Sequence, residues 1–142
     1  MYLILKLNFM TSQSNKGMNI GLWISQSILA AIFLISGLMK TTQPIEKLST
    51  MLPWAKDLPF LVRFIGIAEL FGAIGLILPS LLRIKPNLTV WAAIGLVLVM
   101  FLATCFHMMQ GEFKQIGLTL FLLIVSAFVA WGRSKNAVIQ AK

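Results

Sequence analysis

Four long apolar runs separated by short polar segments dominate the chain. They cover residues 20–39, 61–78, 88–109 and 116–131. The first contains twenty consecutive residues without a charge, and as an α-helix it would be about 30 Å long, the hydrocarbon thickness of a bilayer. One such run could be a buried helix of a soluble protein, but four in succession predict four transmembrane helices.

The composition also indicates that the protein is surrounded by lipid. Of the 142 residues, 58% are hydrophobic and 11% are charged, whereas a soluble domain carries about 25% charged residues. A protein this apolar would expose aggregating patches in water. The predicted fold class is therefore all-α, an integral membrane four-helix transmembrane bundle with the lipid bilayer as its main partner.

The net charge of +8 has two interpretations, a nucleic-acid partner or a membrane orientation signal. The basic residues are scattered at the ends of the apolar runs and form no stripe with interleaved aromatic residues, so we exclude nucleic acid. If the first helix runs outward, seven Lys and Arg lie inside and five outside, which predicts cytoplasmic termini. The inner set is Lys6, Lys16, Arg83, Lys85, Arg133, Lys135 and Lys142, and the outer set is Lys40, Lys47, Lys56, Arg63 and Lys114.

The segments outside the runs are assigned by composition. Residues 1–19 are expected to be an N-terminal tail, because they lack the basic start and the small-residue cleavage site of a signal peptide. Met18 is an alternative start. Residues 133–142 are expected to be a cytoplasmic tail, which leaves residues 20–132 as the transmembrane domain.

The one long loop, residues 40–60, contains a further helix signal. Pro44 followed by Glu46 is typical of a helix start. The apolar residues that follow recur at helical spacing. They predict a short helix from Ile45 to Leu52 that lies on the outer membrane interface.

The single cysteine, Cys105, limits redox chemistry within the chain. One thiol forms neither an internal disulfide nor a CxxC pair, which excludes dithiol shuttling by one copy of the chain. Because Cys105 lies inside an apolar run, we expect it to be a small buried residue.

One acidic residue falls inside a predicted transmembrane helix. Glu69 is ninth of the eighteen residues in the second run. A carboxylate at mid-membrane costs about 3 kcal/mol even on lenient insertion scales, and such groups are usually functional or paired. Its neighbours at helical spacing, Gly66, Gly72 and Ala73, are small. They allow another helix to approach closely, so Glu69 is predicted to face the bundle interior.

Other polar residues fall in the outer half of the predicted helices. Lys40, Glu69 and His107 are predicted to converge on one cavity that opens outward, with Arg63 and Glu112 as further candidates. The alternative is structural, in that Glu69 pairs with Lys40 or Arg63 and fixes the helix register, while His107 is solvated at the interface. No second His or Cys has metal-ligand spacing, so no metal site is predicted.

The ordered polar and apolar blocks at residues 36–40, 63–70, 72–79 and 106–112 resemble the DoxX-like family. The resemblance covers about residues 20–133. It implies a four-helix bundle in a bacterial inner membrane, and it matches Lys40, Glu69 and His107 to the recurring polar positions of the family.

The resemblance also implies a function. The first hypothesis is a small membrane subunit of a quinone-linked or oxidative-stress redox complex, in which Glu69 and His107 handle protons. No intrinsic cofactor is evident, so the redox centre and any quinone would come through a partner. The alternatives are a small proton-coupled transporter, which would need a homo-oligomer, and an assembly or chaperone-like scaffold. The chain has no self-contained catalytic motif.

Overall fold

The computed structural model describes residues 1–141, with side chains described for residues 1–7 and 16–141. This part is helical and contains no strand. The elements are α1 (Tyr2–Thr42), α2 (Ile45–Met51), a 3₁₀ turn (Pro53–Ala55), α3 (Pro59–Leu82), α4 (Asn87–Gln110), α5 (Phe113–Trp131) and a π turn (Gly132–Asn136). The prediction of an all-α fold is confirmed.

Four helical segments in the described part are long and apolar enough to cross a membrane. They are Lys16–Thr42, Pro59–Leu82, Asn87–Gln110 and Phe113–Asn136. The shortest of them have 24 residues and are about 36 Å long, enough to span the hydrocarbon core with some tilt. α1 packs on α3, α3 on α4, α4 on α5, and α5 on α1, so the four helices form a closed bundle.

The bundle is apolar on its outside and partly polar on its inside. Large apolar side chains such as Phe71, Phe121 and Ile124 are exposed, whereas Gln26 and Ser126 are fully buried. A water-soluble bundle has the opposite distribution, because water solvates polar groups and lipid tails do not. This distribution fits a protein whose outer surface contacts lipid.

The helices extend further than the apolar runs. α3 continues through Pro79 to Leu82, beyond the predicted end at residue 78. Proline removes one backbone donor, and membrane helices tolerate this loss because neighbouring groups take up the freed acceptors. α3 ends at Leu82, and the next residue, Arg83, has a left-handed φ of 57°.

Both predicted tails differ from the structure. Residues 1–19 do not form a separate segment, because α1 is one continuous helix from Tyr2, and its apolar span begins at Lys16. At the other end, Arg133 is buried and the π turn continues the helix, so the bundle does not stop at residue 132. A polar residue that follows an apolar run can stay buried in the bundle when it has a hydrogen-bond partner there.

The short helix α2 forms as predicted, one residue shorter at its end. Leu48 is buried together with Trp54 and Val62, and Phe106 of α4 packs against the same cluster. α2 therefore covers the end of the bundle where α1 and α4 end and α3 and α5 begin. We call this the loop end, and the opposite end, where α3 ends and α5 runs into the π turn, the terminal end.

Two glycines determine how closely α1 approaches α3. A Cβ atom added to Gly37 would lie 2.8 Å from the carbonyl oxygen of Gly66, and one added to Gly66 would lie 2.7 Å from Cβ of Lys40. Distances this short mean that any side chain at either position forces the helices apart. Gly37 directly follows Ser36 and lies three residues before Lys40 on α1, and Gly66 lies three residues before Glu69 on α3, so this contact positions the polar residues of both helices.

We predict that Gly37→Ala destabilises the bundle by about 2 kcal/mol, since the added methyl meets rigid backbone and overpacks the interface. Gly117→Ala is the matched control, because nothing lies within 4 Å of a Cβ at that position. It should change stability by about 0.5 kcal/mol or less. The measurement is reversible unfolding in detergent, and equal effects of the two variants would contradict the close contact.

Candidate functional site

Glu69 lies on the face of α3 that contacts α1. Its carboxylate is almost completely buried, with 2% of the residue exposed. Lys40 Nζ lies 2.8 Å from Oε1, and Ser36 Oγ donates to Oε2 at 2.9 Å. Each carboxylate oxygen therefore has a donor, which is the condition for burying such a charge.

Ser36 connects the two charged groups. Lys40 Nζ donates to Ser36 Oγ at 2.9 Å, and the same hydroxyl donates to Glu69. Ser36 and Lys40 are four residues apart on α1 and thus one above the other on the same face. The result is a directed chain of hydrogen bonds from ammonium to hydroxyl to carboxylate, which we call the Lys40–Ser36–Glu69 cluster.

The end of α1 provides a favourable place for Lys40. A cation in the last turn of a helix interacts with the partial negative charge of the carbonyl groups there. The backbone carbonyl of Lys40 itself accepts a hydrogen bond from Arg63 Nη1 at 2.6 Å. Arg63 is therefore a cap on α1, and it does not pair with Glu69. The Lys40 side chain is 17% exposed and that of Glu69 is 3% exposed, so the cluster is reached through Lys40.

His107 and Glu112 form a second polar group at the loop end. His107 Nδ1 lies 2.5 Å from Glu112 Oε2, and the histidine is 7% exposed. The chain reverses at Gly111, whose φ of 74° suits glycine, and this turn brings Glu112 back to His107. The alternative in which His107 is simply solvated is wrong, because its ring is buried and packs edge-on against Phe106.

The five candidate residues therefore fall into two groups. Hydrogen bonds connect Lys40 with Glu69 and Arg63, and a separate ion pair joins His107 to Glu112. In the described residues no hydrogen bond or ion pair links one group to the other. The pairing predicted as an alternative for Glu69 is present, with Lys40 as its partner.

Sequence reasoning missed a third polar group, at the terminal end. Arg133 is 3% exposed; its Nε donates to Gln26 Oε1 at 2.5 Å and its Nη1 to Asn19 Oδ1 at 2.6 Å. Gln26 in turn donates to the carbonyl oxygen of Leu76 at 2.5 Å. An arginine just after an apolar run usually extends to the headgroups. The only available signal was Gln26, a polar residue within a charge-free run.

Two remaining expectations concern cysteine and metals. Cys105 is exposed on the outside of the bundle, so the expectation of a buried thiol is wrong. Small residues at 103 and 104 occupy the inner positions of that turn, which leaves Cys105 on the outer face. Among the described residues, no three His, Cys, Asp or Glu side chains form a group that could hold a metal ion.

Comparison with known proteins identifies one family. The model of the DoxX-like family matches residues 24–129, which include all five candidate residues. Comparison with curated proteins gives no significant match. Comparison with solved structures gives none either.

The coupling between Lys40 and Glu69 can be measured with a double-mutant cycle. Lys40→Met should destabilise the protein by about 3 kcal/mol, because it leaves the buried Glu69 carboxylate without its partner, and Glu69→Gln should cost less, because the Lys40 side chain is 17% exposed. The double variant removes both charges and should cost much less than the sum. Unfolding in detergent reports all three, with Glu46→Gln, an exposed carboxylate on α2, as the control. Strictly additive costs would show that the two charges do not stabilise each other.

Proposed function

Because the chain belongs to the DoxX-like family, we propose that it is a small membrane subunit of a quinone-linked or oxidative-stress redox complex. In this proposal the Lys40–Ser36–Glu69 cluster exchanges the proton that accompanies electron transfer in a partner. The observation that carries the proposal is the directed hydrogen-bond chain through Ser36, which ends on a carboxylate near mid-membrane. Intramembrane carboxylates in such positions commonly serve as proton relays.

The cluster can pass a proton without losing any hydrogen-bond partner. Lys40 gives a proton to the Ser36 hydroxyl as Ser36 gives its own proton to Glu69, which leaves a neutral amine and a neutral carboxylic acid. Lys40, the more exposed member, then regains a proton from the loop end. Glu69 gives its proton to the partner in the same cycle, so the cluster returns to its starting charge, and the electrons belong to the redox centre of the partner.

The His107–Glu112 pair provides a second protonatable group at the same end. α1 and α4 both end there, so Lys40 and His107 lie on the same side of the bundle. We assign this pair the exchange of protons with water, through Glu112, whose side chain is 25% exposed, and the Lys40–Ser36–Glu69 cluster their storage inside the bundle.

A quinone is assigned to the partner, because the apolar groove of this chain does not fit its head group. A groove of about 300 Å³ between α3 and α4 is lined by apolar residues only, among them Phe71, Gly72 and Leu96. It could take an alkyl chain, but it has no side-chain donor for a quinone carbonyl. No step of the proposal is therefore routed through a quinone in this chain.

A scaffold role is the second candidate, and a specific observation favours it. Both oxygens of Glu69 are satisfied, and the Gly37–Gly66 contact holds the two helices in one register. A buried ion pair of this kind can serve register alone. Under this alternative the protein supports the assembly of other membrane proteins, and the cluster transfers no proton.

We further propose that the protein lies in a bacterial inner membrane with both termini in the cytoplasm. An even number of spans places the termini on the same side, and the terminal end carries Lys16, Arg83, Arg133 and Lys135. Basic residues near helix ends favour the cytoplasmic side. Family membership supports a multi-pass membrane protein.

Protease accessibility tests this orientation. A tag placed after the C-terminus should resist an external protease in intact spheroplasts and be digested after lysis, because the cytoplasmic side is sealed. A tag inserted next to Lys56, in the exposed loop before α3, should be digested in both preparations. Digestion of the C-terminal tag in intact spheroplasts would reverse the orientation.

Partner-dependent electron transfer tests the proposed function. The tagged protein, purified from native membranes in mild detergent, should retain a redox partner and support quinone reduction. Glu69→Gln removes the proton acceptor and should lower the turnover of the complex about 100-fold, the usual loss for a missing proton-transfer group, with the exposed Glu46→Gln as its control. Ser36→Ala removes only the hydroxyl route and leaves the direct Lys40–Glu69 contact at 2.8 Å, so it should lower the turnover less than Glu69→Gln does. The matched control for Ser36→Ala is Ser49→Ala, whose hydroxyl bonds only to the backbone of α2.

The alternatives give different results in the same preparation. A scaffold should co-purify with client membrane proteins, and Ser36→Ala should lower abundance with no loss of activity per molecule. Recovery of neither a redox partner nor quinone would argue against the redox proposal. Proton flux in proteoliposomes of the protein alone, lost in Glu69→Gln, would instead favour the transporter hypothesis.

A further inference from the structure

A large polar cavity opens at the terminal end of the bundle, away from the candidate site described above. Its volume is about 790 Å³. It is lined by the start of the α1 span, by the end of α3, and by the chain that follows the π turn. Arg83 holds the segment after the π turn against the end of α3, because its Nε donates to the carbonyl oxygen of Gln140 at 2.8 Å.

The lining of this cavity is strongly basic. Lys16, Arg83 and Lys135 all line it, and all three are exposed. None of the four acidic side chains of the protein lines it. Glu46, Asp57 and Glu112 belong to the loop end, and Glu69 is paired with Lys40. The cations at the terminal end therefore have no acidic side chain to neutralise them.

Behind the wall of the cavity lies a buried guanidinium without a counter-charge. The Nη1 atom of Arg133 bonds to Asn19 Oδ1 and to the Ala137 carbonyl oxygen, and both residues line the cavity. Trp23, another lining residue, lies under the guanidinium at 5.2 Å from the ring centroid. All of these partners are neutral, and Nη2 has no hydrogen-bond partner among the described residues.

A buried charge that has only neutral partners is unfavourable. An anion in the adjoining cavity would compensate it and would also screen the three exposed cations from each other. Arginine binds phosphate through parallel N–H groups, and lysine binds it as a point charge. A cavity with both residue types and no acid is suited to a phosphate-bearing ligand more than to a neutral or cationic one.

We propose that this cavity binds a phosphate group, either on the headgroup of an anionic phospholipid or on a free phosphate compound. Arg83 and Lys135 contact the phosphate, and Arg133 supplies a fixed positive charge behind it. The proposal does not depend on the redox function, because the cavity and the Lys40–Ser36–Glu69 cluster lie in different parts of the bundle. A lipid headgroup would reach the cavity from the membrane surface, next to Trp23.

Two probes distinguish the two sources of phosphate. Native mass spectrometry of the protein from mixed phosphatidylglycerol and phosphatidylcholine micelles detects a retained anionic lipid. Calorimetric titration with inorganic phosphate, in zwitterionic nanodiscs, detects a free anion. All variants carry the same C-terminal tag, so the terminal carboxylate is the same in every comparison.

The test variants are Arg83→Gln and Lys135→Gln, because both side chains are exposed and their loss should not prevent folding. Each should weaken phosphatidylglycerol retention or phosphate binding about five-fold, the usual contribution of one basic residue near a membrane surface. Lys47→Gln and Lys56→Gln remove the same charge from exposed positions at the loop end and are the matched controls. They should leave binding unchanged.

The outcomes distinguish a lipid headgroup site, a site for a free phosphate compound and general charge attraction. Selective retention of phosphatidylglycerol that is lost in the test variants supports a lipid headgroup site, and phosphate binding without lipid selectivity supports a free phosphate compound. Equal losses in test and control variants would show only general charge attraction and would overturn the proposal. Absence of both lipid retention and phosphate binding in the unsubstituted protein would overturn it as well.

Discussion

The structure depends on the inability of lipid tails to form hydrogen bonds or to solvate charge. This constraint turns the strongly polar groups deep in the spans, such as Glu69 and Gln26, toward another helix. Glu69 contacts Lys40 and Ser36, Gln26 contacts Leu76 and Arg133, and pairs of hydroxyl side chains join α3 to α4 and α4 to α5. The apolar outer surface and the polar interior are two results of the same requirement.

The number and position of the spans could be predicted from sequence, because hydrocarbon thickness sets a length that four apolar runs satisfy. The inward orientation of Glu69 followed from the small residues on its face. The ion-pair partner of Glu69 could not be predicted in the same way. Lys40 and Arg63 were equal candidates, and the choice depends on how closely α1 approaches α3 at Gly37 and Gly66. That distance is a property of two packed helices, which neither helix specifies alone.

The remaining differences arise where the chain changes direction. His107 is buried because the left-handed turn at Gly111 returns Glu112 to it. Arg133 is buried because the π turn brings the end of α5 against α1. Periodicity describes regular helices, and it contains no information on where a chain reverses. Polar residues next to reversals are therefore the ones for which sequence reasoning is weakest in a membrane protein.

Glu69 lies near the middle of α3, and its depth has an electrical consequence. A membrane potential of 100 mV does about 2.3 kcal/mol of work on an elementary charge that crosses the whole bilayer. In the proposed relay, a proton that moves between the water at the loop end and this carboxylate would cross only part of that field and so feel part of that work. The relay would then respond to the membrane potential, and the energised state of the cell would act directly on this one side chain.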